Sequence, residues 1–278
     1  MYPTDSQFTA AFKTNDGHNI FYRVWKTNNN PKGIVVLVHG LNSHSGYFQN
    51  LALRLISNDL DVYAMDLRGR GHSDGKRFYI ADYRDIIADI NELLRIASAQ
   101  PPLPIFLFGH SAGSVFASVY AILYQDKLQG LISESIAFRL PAPRLALESI
   151  KALALLIPYA RLVKLKNADF SRDNSVVNAM KNDPLLANEK QPAKTMQQLL
   201  RASDLLQKDM SRITLPLLIM HGKADRATKP EGSEYLMQHV SSIDRELKLY
   251  EGHYHDLLND LDNEVVLQDI VNWLNQRL

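Results

Sequence analysis

Hydrophobic positions along the chain fall into short runs rich in β-branched residues, and stretches of helical periodicity separate most of these runs. Eight runs have the length and composition of strands. They span Phe8–Lys13, Ile20–Trp25, Ile34–His39, Val62–Asp66, Ile105–Gly109, Leu128–Ser133, Leu217–His221 and Glu246–Tyr250. Because Asn15-Asp16-Gly17 between the first two runs is a turn signal, we expect those two strands to form an antiparallel hairpin.

From Ile34 onward the pattern alternates between strands and helices. Helical periodicity covers Tyr47–Ser57, Tyr83–Ser98 and Ser114–Tyr124. Pro101-Pro102-Leu103-Pro104 cannot continue a helix and separates the second of these from the next strand. Strands that alternate with helices favour a mostly parallel sheet with both faces covered. The sequence therefore predicts an α/β fold built on an eight-stranded, mostly parallel sheet.

The alternation stops between residues 139 and 212. Apolar residues there keep helical periodicity without a convincing strand, and this predicts an all-helical insertion. Near the carboxyl ends of the strands, such an insertion would cover a site as a cap. We therefore expect a core of residues 1–138 and 213–278 with a cap of residues 139–212. The cap contains 13 Lys+Arg against 7 Asp+Glu, a net charge of +6, while the remainder carries −5.

The first predicted helix of the cap, Leu145–Lys166, carries apolar residues beside Lys151, Arg161 and Lys164. A basic amphipathic helix of this kind can rest on an anionic membrane surface. Its apolar face can equally pack on the core or line a pocket for an acyl chain. The sequence leaves these alternatives open, and it also leaves open whether the protein forms a homodimer.

Composition excludes several classes of function. The net charge of +1 over 278 residues gives no case for binding nucleic acid, and the absence of cysteine excludes disulfides, cysteine nucleophiles and thiolate metal sites. The longest apolar runs, Ile34–Val38 and Ala152–Ile157, are too short to span a bilayer. Met1–Asp5 shows no secretory signal pattern. We expect a cytoplasmic protein whose contact with membranes, if any, is peripheral.

The chain reads Gly109-His110-Ser111-Ala112-Gly113 directly after an apolar strand and before a predicted helix. In this context the G-x-S-x-G pattern holds a serine on a tight, strained turn and presents its hydroxyl above the carboxyl edge of the sheet. A serine hydroxyl needs a base to remove its proton and an acid to orient that base. Ser111 is therefore the predicted nucleophile, and it requires two partners.

Partners for Ser111 follow two later strands. Asp225 lies just past Leu217–His221, where an orienting acid is expected. His253 and His255 both follow Glu246–Tyr250, and spacing alone does not choose between them as the base. Since parallel strands end at the same edge of a sheet, all three functional groups can meet there.

The negative charge that develops on an attacked carbonyl oxygen needs hydrogen-bond donors close to that oxygen. The backbone N–H of Ala112, next to the nucleophile, and that of Leu41, in the loop after Ile34–His39, are the expected oxyanion donors. A metal site formed by His253, His255 and Asp256 is a weaker alternative, because no other ligand cluster accompanies it. No metal or organic cofactor is implied.

Several motifs together resemble those of the α/β-hydrolases, with the strongest likeness to the monoacylglycerol lipase and lysophospholipase branch. The likeness extends from about residue 15 to 275, and it includes segments of the cap. The matching motifs are His39-Gly40, Asp66-Leu67-Arg68-Gly69-Arg70-Gly71-His72-Ser73-Asp74-Gly75, Gly109-His110-Ser111-Ala112-Gly113, Phe170-Ser171-Arg172-Asp173, Asn182-Asp183-Pro184-Leu185, His221-Gly222-Lys223-Ala224-Asp225 and Glu251-Gly252-His253-Tyr254-His255.

This resemblance implies a catalytic triad of Ser111, Asp225 and His255, oxyanion donors at Leu41 and Ala112, and a cap that shapes an apolar acyl channel. The implied function is a serine hydrolase that cleaves lipid-like carboxylic esters, monoacylglycerols or lysophospholipids, through an acyl-enzyme. A short-chain carboxylesterase or thioesterase would use the same residues. A non-catalytic ligand-binding protein on the same fold is a further alternative.

The chain departs from the family pattern near the expected oxyanion loop. Leu41-Asn42-Ser43 stands where the family usually has a small residue, then glycine and glutamate. Leu41 is bulkier than usual and is expected to narrow the acyl entrance, but its N–H remains available. The elbow reads Ala112-Gly113-Ser114 where many members show methionine and paired glycines.

Overall fold

The computed structural model of the protein describes residues 7–98 and 102–278. Met1–Asp5, where no secretory signal is visible, and Pro101 lie outside the described residues. Eight strands form one sheet in the order β1-β2-β4-β3-β5-β6-β9-β10. These strands are β1 (Gln7–Lys13), β2 (Asn19–Trp25), β3 (Gly33–Val38), β4 (Leu60–Met65), β5 (Ile105–His110), β6 (Gly130–Glu134), β9 (Leu217–Gly222) and β10 (Arg245–Tyr250).

The pairing of the strands confirms the predicted hairpin and the mostly parallel sheet. β1 pairs with β2 in antiparallel fashion, and β2 pairs with β4 in the same way. All other pairs in this sheet, from β4 through β3 to β10, are parallel. Parallel strands buried on both faces are typically continuous apolar runs, and β3 is buried along its whole length.

Helices cover both faces of the sheet. Successive residues of a strand point to opposite faces, so Val36 packs into one apolar core and Leu37 into the other. The first core includes side chains of the helices at Tyr83–Ala97 and Ala112–Tyr124, and the second includes those of the helices at Gln49–Ile56 and Glu264–Asn275. The helices are α1 (Gln49–Ile56), α2 (Tyr83–Ala97), α3 (Ala112–Tyr124), α4 (Arg144–Leu156), α5 (Asn174–Asn182), α6 (Ala193–Asp209), α7 (Glu231–His239) and α8 (Glu264–Asn275).

The prediction of one long helix over Leu145–Lys166 is wrong. Helix α4 ends at Leu156, because Pro158 has no N–H to donate and its ring excludes a helical turn before it. The chain then forms β7 (Arg161–Val163), which pairs antiparallel with β8 (Gln191–Pro192). The segment of residues 139–212, called the cap segment below, is therefore not all-helical.

The cap segment has one face on the core and one face exposed. Helix α6 packs against α3 and α4 and buries Met196 and Leu199 in the core beneath it. Helix α4 instead leaves Leu155 and Leu156 exposed at 74% and 82% of their surface. Among the helices of the described residues, none is both long enough and apolar enough to cross a membrane.

Candidate active site

Ser111 occupies a strained turn between β5 and α3. Its φ of 57° lies in the left-handed region, which is unfavourable for a residue with a side chain. A Cβ at Gly109 would lie 2.5 Å from Cα of Ser114, and one at Gly113 would collide with the carbonyl oxygen of Val38. The two glycines therefore permit the turn that places Ser111 at the N-terminus of α3.

His255 connects Ser111 to Asp225 through two hydrogen-bond contacts. Its Nε2 lies 2.8 Å from Oγ of Ser111, and its Nδ1 lies 2.7 Å from Oδ2 of Asp225. All three side chains are buried or nearly so, and the loops after β5, β9 and β10 supply one each. This is the geometry in which an imidazole takes a proton from a serine hydroxyl while a carboxylate fixes its tautomer.

His253, the other candidate base, lies apart from this chain of contacts. Its ring packs near Tyr250 at 5.6 Å between centroids. Neither ring nitrogen has a hydrogen-bond partner among residues 7–98 and 102–278, and burial lowers the pKa of the ring. The structure thus brings His255, and not His253, to Ser111.

Asp225 is held as a carboxylate by several donors. Its Oδ1 accepts the backbone N–H groups of Ala227 at 2.7 Å and Thr228 at 2.9 Å. Burial raises the pKa of Asp225, but the rings of His255 and His221 outweigh burial and keep the pKa well below its usual value. Asp225 is therefore ionised at every pH at which the protein is expected to work.

Two residues that the sequence reasoning missed complete the surroundings of Asp225. Thr228 donates its hydroxyl proton to Oδ2 of Asp225 at 2.7 Å. His221 places Nε2 2.9 Å from the same oxygen and Nδ1 2.7 Å from Oγ of Ser233. His221 opens the motif that ends at Asp225, so the motif contains a signal for it, whereas Thr228 has none.

The loop after β3 passes directly against the nucleophile. A Cβ at Gly40 would lie 2.7 Å from Cβ of Ser111 and 3.2 Å from its Oγ, so only glycine permits this approach. Nδ1 of His39 lies 2.7 Å from the carbonyl oxygen of Gly40, and its Nε2 accepts the N–H of Leu67 at 2.9 Å. Burial lowers the pKa of His39 to about 4, so the ring is neutral at pH 7. His39 supports the loop rather than reacting.

A small cavity of about 30 Å³ lies over Ser111 and His255. By volume it has room for one or two water molecules. Its other lining residues are almost all apolar, and Leu165, Phe170, Met196 and Leu199 among them come from the cap segment. Phe170 also sets its ring edge-on to His255, with 5.0 Å between the centroids.

The structure does not bring His253, His255 and Asp256 together as metal ligands, because both nitrogens of His255 are occupied by Ser111 and Asp225. A different buried group, His110, Glu134 and Asp256, offers ligand atoms within 4.8 Å of one another. However, Glu134 already accepts the N–H of Leu257 at 2.8 Å. Burial raises the pKa of Glu134 well above its usual value, which favours a protonated carboxyl group there, and it raises the pKa of Asp256 to about 6.

Comparison with known proteins finds a matching family model and similar lipases. The chain matches the family model described as "Serine aminopeptidase, S33" over residues 29–262. It is 34% identical over 266 residues to a monoacylglycerol lipase of Mycolicibacterium smegmatis, covering 94% of this chain and 95% of that protein. It is 32% identical over 270 residues to the human monoglyceride lipase, covering 94% of this chain and 88% of that protein.

A solved structure of a monoacylglycerol lipase is similar to this chain over nearly its whole length. The crystal structure of the Paleococcus ferrophilus monoacylglycerol lipase superposes with a TM-score of 0.85 at 30% identity, covering 93% of this chain and 99% of that chain. The match includes the cap segment as well as the sheet, since nearly the whole of both chains is covered.

Proposed function

The chain belongs to the family described as serine aminopeptidase S33 and, within the α/β-hydrolases, to the monoacylglycerol lipase branch, and we propose that it hydrolyses the ester bond of monoacylglycerols. It is a serine hydrolase of carboxylic esters. The observation that carries the proposal is the continuous contact from Ser111 through His255 to Asp225, at 2.8 and 2.7 Å, beneath an apolar cavity.

In the proposed mechanism, His255 Nε2 takes the proton of Ser111 as Oγ attacks the ester carbonyl. Asp225 keeps Nδ1 of the ring protonated and stabilises the imidazolium that forms. His255 then donates its proton to the departing glycerol oxygen, which leaves an acyl ester on Ser111. Water, deprotonated by the same ring, attacks this ester and releases the fatty acid.

The tetrahedral intermediate of each step carries a negative oxygen. We assign its stabilisation to the backbone N–H groups of Leu41 and Ala112. Ala112 is the first residue of α3, where the helix dipole favours a negative charge. The close approach of Gly40 to Ser111 places the peptide group that carries the N–H of Leu41 beside the nucleophile, which supports this assignment. Loss of one such donor typically lowers the turnover rate ~10²–10³-fold.

The cap segment is the proposed acyl-binding element. Its apolar residues Leu165, Phe170, Met196 and Leu199 form one wall of the cavity over Ser111. A cavity of about 30 Å³ is too small for a long acyl chain, so the part of the cap segment that carries Leu165 and Phe170 has to move when such a substrate enters. If it cannot move, the site takes only short acyl groups, which is the second candidate function.

The exposed edge of the cap segment fits a lipid surface. Leu155, Leu156 and Tyr159 are exposed, and the exposed cations Arg161 and Lys164 follow them. An apolar edge beside cationic side chains binds membranes that contain anionic lipids. We therefore propose that this edge docks the enzyme on the surface from which monoacylglycerol is taken.

Competitive hydrolysis of four lipids tests the proposed substrate. Purified protein is given equal amounts of 1-oleoylglycerol, dioleoylglycerol, trioleoylglycerol and oleoyl-lysophosphatidylcholine, and the Ser111→Ala variant is the control. The proposal predicts fastest release of oleate from the monoacylglycerol and none with the variant. Hydrolysis of butyrate esters alone would instead assign the short-chain function. Equal activity of the variant would remove Ser111 from the mechanism.

A further inference from the structure

Glu189, on the cap segment, reaches the loop that carries the assigned oxyanion donor Leu41. We propose that Glu189 is a positioning residue for this donor, so that the oxyanion site is complete only when the part of the cap segment around Glu189 is seated on the core. The inference rests on the proposed function, because it takes the N–H of Leu41 as a donor to the reacting oxygen.

The peptide group between Gly40 and Leu41 is fixed from its amino-terminal side by His39. Nδ1 of the neutral His39 ring lies 2.7 Å from the carbonyl oxygen of Gly40 and donates to it. In a trans peptide the carbonyl and the N–H point in opposite directions. Holding the oxygen of Gly40 therefore also sets the direction of the N–H of Leu41.

The carboxyl-terminal side of the same loop is fixed by the cap segment. Asn42 has a φ of 59°, and its backbone N–H donates to Oε1 of Glu189 at 3.0 Å. The side-chain amide of Asn42 donates to Oδ1 of Asn167, also in the cap segment, at 3.0 Å. Since Asn42 is 4% exposed, its N–H would have no water to replace Glu189. Without this acceptor, the left-handed conformation of Asn42 loses its support.

Glu189 is itself held in place by a buried cation. Nε of Arg70 lies 3.6 Å from Oε1 of Glu189, and both side chains are at most 2% exposed. Gln191 joins the two: its amide donates to Glu189 at 2.6 Å and its oxygen accepts from Arg70 at 2.7 Å. A buried charge without its partner is strongly destabilising. The charge of Arg70 and the hydrogen bond from Gln191 together hold the carboxylate of Glu189 at the loop.

Two conservative variants separate the effect of the length of the Glu189 side chain from the effect of its charge. Glu189→Asp keeps the charge beside Arg70 but withdraws the carboxylate from Asn42 by one methylene. Glu189→Gln keeps an oxygen at the distance of Asn42 but leaves Arg70 without its counter-charge. A displacement of about 1 Å in a catalytic group can lower the rate about 10²-fold. We expect Glu189→Asp to lower kcat about tenfold or more with KM little changed, and Glu189→Gln to keep kcat within about threefold of wild type while lowering the Tm.

The inhibition constant of an alkyl trifluoromethyl ketone is a second measurement, and a loss of protein stability alone does not change it. The adduct of the ketone with Ser111 carries an oxyanion, so the inhibition constant should rise in Glu189→Asp by the same factor as kcat/KM falls. Glu148→Ala is the matched control, because the ion pair of this cap carboxylate lies within α4, with Lys151. This control should change neither kcat nor the inhibition constant.

The inference is overturned if Glu189→Asp retains the wild-type kcat and inhibitor affinity. It is also overturned if kcat in the Asp and Gln variants simply follows their Tm values. Should Glu189→Asp not fold, Glu189→Gln against Glu189→Ala gives the same comparison, since only Gln keeps the acceptor. Failure of the wild-type protein to hydrolyse any ester would instead contradict the proposed function itself.

Discussion

At the scale of single residues, the proposed chemistry depends on how firmly Asp225 is held. Its two oxygens accept backbone N–H groups on one side and the hydroxyl of Thr228 on the other. These donors fix the carboxylate toward Nδ1 of His255. Thr228 is 3% exposed, so water cannot substitute for its hydroxyl.

Replacing Thr228 by valine keeps the shape and removes the donor. A hydrogen bond to a charged group contributes about 1.5–3 kcal/mol, and partial loss of this in the transition state should lower kcat about tenfold. Steady-state kinetics on a soluble aryl ester measures the effect. Thr214→Val, at an exposed threonine whose hydroxyl bonds Gln125, is the control and should leave kcat unchanged. A wild-type kcat in Thr228→Val would exclude this role for the hydroxyl.

Asp256 gives a prediction for the pH dependence of stability. Burial raises its pKa to about 6, whereas an aspartate in the unfolded chain titrates at about 4. Between these pH values the folded state retains a proton that the unfolded state has released, so the contribution of Asp256 to stability falls as pH rises. Above pH 6 the full penalty, on the order of 3 kcal/mol, remains.

Asp256→Asn removes this penalty. The variant should match wild type in free energy of unfolding at pH 4, exceed it progressively up to pH 6, and keep a constant advantage above that. Denaturant unfolding of both proteins across this pH range measures the difference. An equal difference at pH 4 and pH 8 would show that Asp256 does not change its protonation state on folding.

Site residues that directly follow a strand could be predicted from the sequence. Residues that reach the site from a distant part of the chain could not. Ser111 and Asp225 each follow an apolar strand, so their convergence is predictable. His253 and His255 lie in the same loop, so the end of the preceding strand does not decide which of the two meets Ser111. Glu189 lies 147 residues from Asn42 along the chain and meets it only through the cap segment.

At the scale of elements, the strands were predicted to within a few residues, but the first helix of the cap segment was not. Helical periodicity of apolar residues continues past Leu156 in the sequence, and Pro158 stops the helix. The apolar residues beyond this point lie in an exposed turn and in β7. The result is an apolar edge, not one long amphipathic face.

Charged substitutions in the exposed apolar edge of the cap segment test whether this edge binds membranes. Leu155→Glu together with Leu156→Glu should weaken binding to phosphatidylglycerol vesicles about tenfold or more, because two leucines lose their apolar contact with lipid. Ile243→Glu is the control, since Ile243 is 99% exposed and lies outside the cap segment. Co-sedimentation with vesicles measures binding. Equal loss in the control, or no loss in the double variant, would contradict docking through this edge.

At the scale of the whole molecule, the sheet and its order of strands bring Ser111, Asp225 and His255 together, and we propose that the cap segment determines which substrates enter. The sheet could be predicted because alternating strands and helices admit few arrangements. The small cavity could not, since it depends on how α6 and the residues around Phe170 pack over Ser111. We therefore propose that a long acyl chain displaces the part of the cap segment that carries Leu165 and Phe170.

Movement of the cap segment can be followed by hydrogen exchange. Labelling Ser111 with a dodecyl fluorophosphonate should increase amide exchange in residues 144–170, because the alkyl chain does not fit a cavity of about 30 Å³. A methyl fluorophosphonate, which reacts at the same oxygen, should leave this exchange unchanged. Equal exchange with both labels would mean that the acyl chain leaves the site by another route.

Titration with a fluorophosphonate tests whether Ser111 carries the acyl group during hydrolysis of monoacylglycerol. The labelled fraction of Ser111 is read by peptide mass spectrometry, and oleate release from 1-oleoylglycerol is measured on the same samples. Activity should fall in direct proportion to the labelled fraction and reach zero at full labelling. Protein that is fully labelled at Ser111 and still releases oleate would contradict this role of Ser111.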